Sequence, residues 1–418
     1  MKIPFHSPLR KRLTVAGAIV LAVAYVGLAA TQFVASWLAG RTDLASLQRA
    51  ALLDPGNADY RDRVGRYFDL IARNPLGAIG YYKSAVQLNS HSAHYWFDLA
   101  SAYQVLGDTV SQTAALEHAI QADATTPDVA WEAGNLYLVQ GEREKALREL
   151  RVVIANDPTL SDAALQFCWR INPDVDALLR DVVPARANSL LGLLFLLESK
   201  QETASTMKVW DAIMHTSQTF EVHYAYDYIH YLIQHKEVDE AVLVWQQTAG
   251  RFGLSPYLPS SANLIVNGSF NLNLLNAGFD WEYQKQSGVS LMLDPSDFHA
   301  GRRSLLITFD GPGISESGIY QFVNVQPNTT YDFTAYYKNG EIQGAGGPHF
   351  SIQDVYTQAV LYQSEELKDA AFWKSADGEF TTGPDCKLVV VHVSRLPAGS
   401  PIRGKLWVDD FHLTRKPS

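Results

Sequence analysis

The stretch Trp96-Phe97-Asp98-Leu99-Ala100-Ser101-Ala102-Tyr103-Gln104-Val105-Leu106-Gly107 returns in altered form as Trp131-Glu132-Ala133-Gly134-Asn135-Leu136-Tyr137-Leu138-Val139-Gln140-Gly141. Ala100 and Gly134, Tyr103 and Tyr137, and Gly107 and Gly141 each stand 34 residues apart. Leu116 and Ala119 follow the first copy; Ala146, Leu150 and Val153 follow the second, which closes on Pro158. Each unit therefore reads as two successive amphipathic helices. The small residue at 100 or 134 lets the first helix approach the second, and the aromatic at 103 or 137 fills the gap beside it. Gly107 and Gly141 end the first helix, because glycine takes the left-handed conformation without steric cost.

Two helices at this period resemble the tetratricopeptide repeat family. The resemblance implies a right-handed superhelix over 43–250, of about five to six helix pairs, with a concave face that holds a peptide or helix of a protein partner. By repeat geometry the partner-facing candidates are Tyr95, Asp98, Gln104, Glu132 and Asn135, all outside the packing positions. Upstream, Leu47, Ala50 and Pro55 have the spacing of an orphan second helix. A first full repeat follows, with Val64, Gly65 and Phe68, then Ala78, Tyr82 and Ala85. Its two helices are out of phase by one residue, which the Asn74–Gly77 loop is expected to absorb. From Ser161 the pattern decays: Cys168 takes the small-residue position, and Asn172-Pro173 is expected to cut the first helix short. Gly192, Phe195, Ala204, Met207 and Trp210 mark another pair. Tyr224, Tyr228, Tyr231, Ala241, Trp245 and Ala249 mark the last.

Leu13 to Leu38 carries no charge and follows Lys2, Arg10, Lys11 and Arg12. Such a run spans about 30 Å of hydrocarbon as a helix. The basic cluster predicts a cytoplasmic segment at 1–12, a transmembrane signal anchor at 13–38, and a periplasmic or extracytoplasmic body, as on a bacterial inner membrane. A cleaved signal peptide is the competing reading.

Gly250 to Ala262, with Pro256, Pro259, Ser260 and Ser261, reads as a linker at 251–262. Beyond it the period becomes alternating, as in Tyr331, Phe333, Ala335 and Tyr337 against Asp332, Thr334 and Tyr336. Leu264–Phe270 and Phe279–Tyr283 are among the expected strands. About ten strands over 263–418 predict an antiparallel β-sandwich or jelly roll. The overall fold class is thus multidomain, α then β: an N-terminal transmembrane helix, an α-solenoid and a C-terminal jelly roll.

The landmarks Asn263-Leu264-Ile265-Val266-Asn267-Gly268-Ser269-Phe270, Gly278-Phe279-Asp280-Trp281, His299-Ala300-Gly301 and Leu406-Trp407-Val408-Asp409-Asp410-Phe411 resemble the galactose-binding-like jelly roll of carbohydrate-binding modules. In that fold the opening and closing strands lie side by side and commonly hold a structural calcium ion. The resemblance points to Asp409 or Asp410 as carboxylate ligand, to carbonyls near His299–Gly301, and to Asn271 where the family usually has an acid. The alternative is that Asp409-Asp410 ends an edge strand in solvent. Trp281 and Trp407 occupy positions usually buried in the fold. Tyr336, Tyr356 and Trp373 are the candidate carbohydrate-stacking residues, and Glu341–Pro348 is either a loop over that face or a long hairpin connection.

A net charge of −10 argues against nucleic acid. The two cysteines, Cys168 and Cys386, fall in different domains, which argues against a disulfide between them or a zinc site. His223, Asp227 and His230 have ligand spacing on one helix face but lack a fourth ligand. Glu365 and Glu366 diverge, and no catalytic fingerprint occurs. The expectation is a non-catalytic, membrane-anchored scaffold. Its layout resembles bacterial accessory proteins of exopolysaccharide or O-antigen assembly and export. A carbohydrate-binding protein with the repeats as spacer is the alternative.

Overall fold

The computed structural model describes residues 8–416; Lys2, with the rest of 1–7, and residues 417 and 418 lie outside the described residues. Fourteen α-helices precede ten strands among the described residues. The chain is a helical-repeat protein carrying a C-terminal β-sandwich.

Helix α1 (Pro8–Ala39) is long and apolar enough to cross a membrane. Its last turns are not free: Ala35 and Ala39 are buried, and Arg63 donates to the Ala39 carbonyl at 3.2 Å. Helix α2 (Leu44–Leu53) follows at once, its first turn capped by Asp43, which accepts from the Ser46 amide at 2.9 Å. The pairs α3 (Ala58–Arg66) with α4 (Pro75–Leu88), α5 (Ala93–Leu106) with α6 (Thr109–Ala122), and α7 (Pro127–Gln140) with α8 (Arg143–Asn156) are the repeats. Ala100 and Ala133 are fully buried between helices, and Gly107 and Gly141 close α5 and α7 at φ 73° and 81°.

The structure absorbs the extra residue of the first repeat differently from expectation. A π-helical turn at Tyr67–Ile71 continues α3 and takes up the residue inside the helix, so the Asn74–Gly77 loop need not. The effect of Pro173 also differs. Helix α9 (Pro158–Ile171) has the same 14 residues as α5 and α7, because Pro158 starts it and Asn172 ends it. The proline instead reduces the following helix to α10 (Val175–Ala177) and a π turn, Leu178–Val182. Helices α11 (Ala187–Ser199), α12 (Thr203–His215), α13 (His223–Gln234) and α14 (Val238–Phe252) complete the helical part.

One compact unit ends at Leu196 and the second begins at Leu197. Helices α12 to α14 therefore go with the sandwich, and the linker-like 251–262 falls inside the second unit. Three contacts explain this. The Trp245 ring lies 2.6 Å from where a Cβ on Gly278 would stand. The Tyr356 hydroxyl donates to the Ile233 carbonyl at 2.8 Å. His230 Nε2 stands 3.0 Å from the Glu282 carboxylate.

The sandwich strands are β1 (Glu282–Tyr283), β2 (Val289–Asp294), β3 (Ser304–Gly313), β4 (Glu316–Asn324), β5 (Thr330–Gly344), β6 (Gly347–Asp354), β7 (Val360–Gln363), β8 (Lys374–Thr381), β9 (Leu388–Leu396) and β10 (Pro401–Arg415). They form two five-stranded antiparallel sheets, ordered β1-β4-β9-β6-β7 and β2-β3-β10-β5-β8. Tyr331, Phe333, Ala335 and Tyr337 turn inward to meet Phe350, Ile352, Val389 and Val391. Residues 341–348 form neither a loop over the candidate stacking face nor a long hairpin connection: β5 runs to Gly344 in one sheet and β6 starts at Gly347 in the other, so only residues 345–346 lie between the strands.

Leu264–Phe270 is wound rather than extended, and the second candidate strand shrinks to Glu282–Tyr283. Asn267 and Phe270 both take φ of 50°, which breaks an extended run. The Gln321 side chain stands in for a neighbouring strand, bonding the Val266 amide at 3.0 Å and its carbonyl at 2.8 Å. The segment still lies along β10 through Leu264 N to Leu413 O (2.9 Å) and Phe411 N to Gly268 O (3.0 Å). A Cβ on Gly268 would stand 2.2 Å from the Phe411 carbonyl oxygen. Gly268→Ala is therefore expected to destabilise the second unit by about 1–3 kcal/mol, read as a lowered thermal midpoint.

Candidate functional site

Two surfaces collect polar and aromatic side chains. The first is the face of α5 and α7 that no helix covers. Asp128, Glu132, Asn135 and Val139 recur at helical spacing on α7 and, with Trp131 and Leu136, line a cavity of about 370 Å³. The equivalent stripe on α5 holds His94, Asp98, Ser101 and Val105. Arg66 Nε reaches Asp98 at 2.7 Å and Asp62 at 2.9 Å, and His94 Nε2 lies 3.6 Å from Asp98. Asp98, Glu132 and Asn135 thus share one surface. The Asn135 amide donates to the Trp131 carbonyl of its own helix at 3.0 Å. Tyr95 packs half-buried against the core around Tyr82 and Leu99, and Gln104 stands off the stripe by its helical phase.

Electrostatics on this face are one-sided. Burial, and then the Asp98 charge, push the Asp62 carboxyl well above its ordinary range. The same two causes raise Asp69 and Glu132. Asp62 is 1% exposed, and its Oδ1 has no hydrogen-bond partner among the described residues. Asp62, His94 and Asp98 could by spacing hold a metal ion, but Arg66 already stands between the two carboxylates as their cation.

In the sandwich, the structure brings Tyr336 and Trp373 together and sets Tyr356 apart. His299 stacks on Tyr336 with centroids 3.6 Å apart and planes 12° off parallel, and Trp373 lies 5.9 Å from the same imidazole. Trp373 Nε1 donates to Asp297 at 3.2 Å, and Lys338 pairs with Asp297. The Tyr336 ring is thus covered by His299 rather than open to a sugar. Tyr356 belongs to the other sheet's end, where it binds Ile233 and lies under Lys236. Trp281 is buried, whereas Trp407 is only half-buried and donates to Asp294 at 2.8 Å.

Asp409 is completely buried on β10, the middle strand of its sheet, so Asp409-Asp410 does not end an edge strand. Its Oδ2 accepts from the His299 and Ala300 amides at 2.8 and 2.9 Å, and its Oδ1 from the Asp410 amide at 2.7 Å. Burial still raises its carboxyl to about 6. Asn271 Oδ1 accepts from Arg302 N at 2.7 Å, and Asp410 faces His299 and His412. These oxygens are directed at N–H groups and imidazoles, and a calcium ion needs converging oxygens instead. Asn271, His299, Asp409 and Asp410 do not fit the ion in this arrangement. His223, Asp227 and His230 also diverge: His223 pairs with Glu221 and His230 with Glu282. Cys168 and Cys386 are free and buried.

The second surface was not singled out in the sequence. Strand alternation turns Ile319, Gln321, Val391, Val393, Phe350 and Ile352 inward, which leaves the opposite side of the sheet β1-β4-β9-β6-β7. Register sets Glu282, Tyr320, His392, Ser351 and Gln363 in one row across five strands. Tyr320 and Phe322 meet edge to face at 5.4 Å, and Tyr320 donates to Glu282 at 2.9 Å. His392 is 8% exposed; its Nδ1 meets Glu316 at 2.7 Å, and its Nε2 has no partner among the described residues. Only the pairing register assembles this row, so spacing in the sequence could not reveal it.

No family model matches the chain, and no curated protein matches its sequence. Solved structures similar to parts of it include one described as "CBM4 structure and function", at 17% identity over 36% of this chain and 99% of that one, TM-score 0.27. Another is the CBM22-1 xylan-binding domain of Paenibacillus barcinonensis Xyn10C, at 15% identity over 38% and 99%, TM-score 0.26. MamA shares 20% identity over 41% of this chain and 84% of its own, TM-score 0.23.

Two expectations follow. A carboxyl raised in the fold binds a proton that the unfolded chain has already released. Its contribution to stability therefore falls as pH rises from about 4 through neutral. Asp62→Asn is expected to raise the melting midpoint of the repeat unit near neutral pH and to flatten its pH dependence. For the second unit, calcium or a chelator should leave the midpoint unchanged; a marked upward shift with calcium would restore the ion site.

Proposed function

We propose that the protein is a membrane-anchored, non-catalytic scaffold. Its repeats hold a protein partner, and its sandwich faces the envelope in exopolysaccharide or O-antigen assembly or export. The N-terminus is cytoplasmic, the bulk extracytoplasmic, and α1 stays uncleaved in the inner membrane. The observation that carries this reading is the junction between α1 and the repeats. Ala35 and Ala39 are buried, and Arg63 ties the end of α1 to α3, so the apolar helix is a structural part of the array. A removable leader has no need of such packing. The tetratricopeptide resemblance adds the expectation of a polypeptide on the uncovered faces of α5 and α7.

A second reading, carbohydrate binding with the repeats as spacer, is favoured by the row Tyr320, His392, Ser351 and Gln363. An aromatic face beside buried and half-buried hydrogen-bonding groups is what a sugar's apolar face and hydroxyls require. In this reading Tyr336, covered by His299, takes no part.

External protease on spheroplasts is expected to digest the repeats and sandwich; full protection would overturn the orientation. Retention on immobilised polysaccharide by the full chain, lost in Tyr320→Ala and His392→Ala but kept in Trp373→Ala, would establish the second reading. Absence of retention, with cross-linking of a protein partner in the envelope, is the outcome expected of the scaffold.

A further inference from the structure

We infer that the uncovered face of α5 and α7 receives a cationic, amphipathic polypeptide segment, its lysine or arginine side chains at Asp98 and Glu132 and its apolar side chains on Val105 and Val139. The inference rests on the scaffold reading and specifies the chemistry of the partner.

The first observation is a repeated apolar row. Ile71, Val105 and Val139 stand 34 residues apart and are 61, 70 and 67% exposed. A single exposed apolar residue means little, since much of any protein surface is apolar. Three at the repeat period make a stripe that runs across successive helices, and solvated faces do not need one. The second observation is a parallel acidic row at the same period. Asp98 on α5 corresponds to Glu132 on α7, and Asp128 on α7 stands where α5 has His94. One guanidinium, that of Arg66, serves both Asp62 and Asp98. The buried Asp62 keeps Oδ1 without a partner among the described residues, and its side chain lies within 4.8 Å of Asp98 and His94. With Asp62 holding its proton, Arg66 offsets Asp98, while no salt bridge joins Asp128 or Glu132 to a cation among the described residues.

Between the rows lies the cavity of about 370 Å³ on α7. Leu136 and Val139 offer an apolar wall, Trp131 an aromatic one, and Asp128 and Glu132 the acidic rim. This is the complement of a lysine or arginine side chain, whose hydrocarbon stem needs apolar cover while its head needs carboxylate or an aromatic face. An acidic segment would meet like charge, and a neutral apolar one would bury Glu132 without compensation.

The test uses the full chain in nanodiscs of zwitterionic lipid, with empty nanodiscs as blank. The probes are three labelled amphipathic peptides of equal length, built from Lys/Leu, Glu/Leu and Gln/Leu. The Lys/Leu peptide is expected to bind, and to bind more weakly as salt rises. Asp98→Asn and Glu132→Gln should each weaken binding about tenfold, and Glu144→Gln on α8 should not. Reversal of both charges, with Asp98→Lys and Glu132→Lys, should transfer binding to the Glu/Leu peptide. Unchanged Lys/Leu binding in the two single variants, which keep side-chain shape, would overturn the inference. Photo-cross-linkers at Val105 and Val139 in the native envelope separate it from the scaffold reading. A captured segment rich in Lys and Arg supports the inference. A neutral or acidic captured segment overturns the charge preference and leaves the scaffold standing; no captured polypeptide overturns both.

Discussion

The helical part depends on close approach between paired helices at one small residue per repeat. At Gly65 an added Cβ would stand 2.6 Å from the Tyr82 ring, and at Gly134 it would meet Leu150 at 3.5 Å. Ala100 fills the same place in the middle repeat with no exposed surface. This contact sets how each second helix returns along the first, so the next repeat stacks in the same way and a continuous core forms. It also explains why an extra residue at 67–71 is taken up as a π turn. The helix keeps both packing positions, and only the turn between them widens.

A constant period has an electrostatic consequence. Residues 34 apart become neighbours on successive helices, so like residues at like positions concentrate their charge. Asp98 beside Glu132 is such a case: burial first, and then the Asp98 charge, raise the Glu132 carboxyl. Buried carboxylates meet different solutions elsewhere. Asp409 is held by three backbone amides, whereas Asp62 has half of one guanidinium and one orphaned oxygen. The first arrangement is closed and structural. The second is incomplete.

The sandwich is organised around β10, which lies between β3 and β5 and receives the opening segment along its end. Gly268 makes that approach possible, because any side chain there would strike the Phe411 carbonyl. Helices α13 and α14 are fastened to the same body through His230, Ile233 and Trp245. In that unit the helical and β portions form one packed structure.

Local signals along the chain specify the kind and order of elements. The 34-residue period, the left-handed glycines and the alternation from Tyr331 to Tyr337 are local signals, and each acts within a few residues of its own position. The uncovered positions Asp98, Glu132 and Asn135 were legible for the same reason, since helical phase alone separates packed from unpacked faces. Tertiary structure decided what depends on partners distant in sequence. Leu264–Phe270 looks like a strand but winds, because Gln321 supplies its hydrogen bonds. Tyr336 looks like a stacking platform but is covered by His299, and Asp409 looks like a cation ligand but faces amides. The row Tyr320, His392, Ser351 and Gln363 exists only through strand register, which pairs residues tens of positions apart and leaves no mark in the spacing of any one segment.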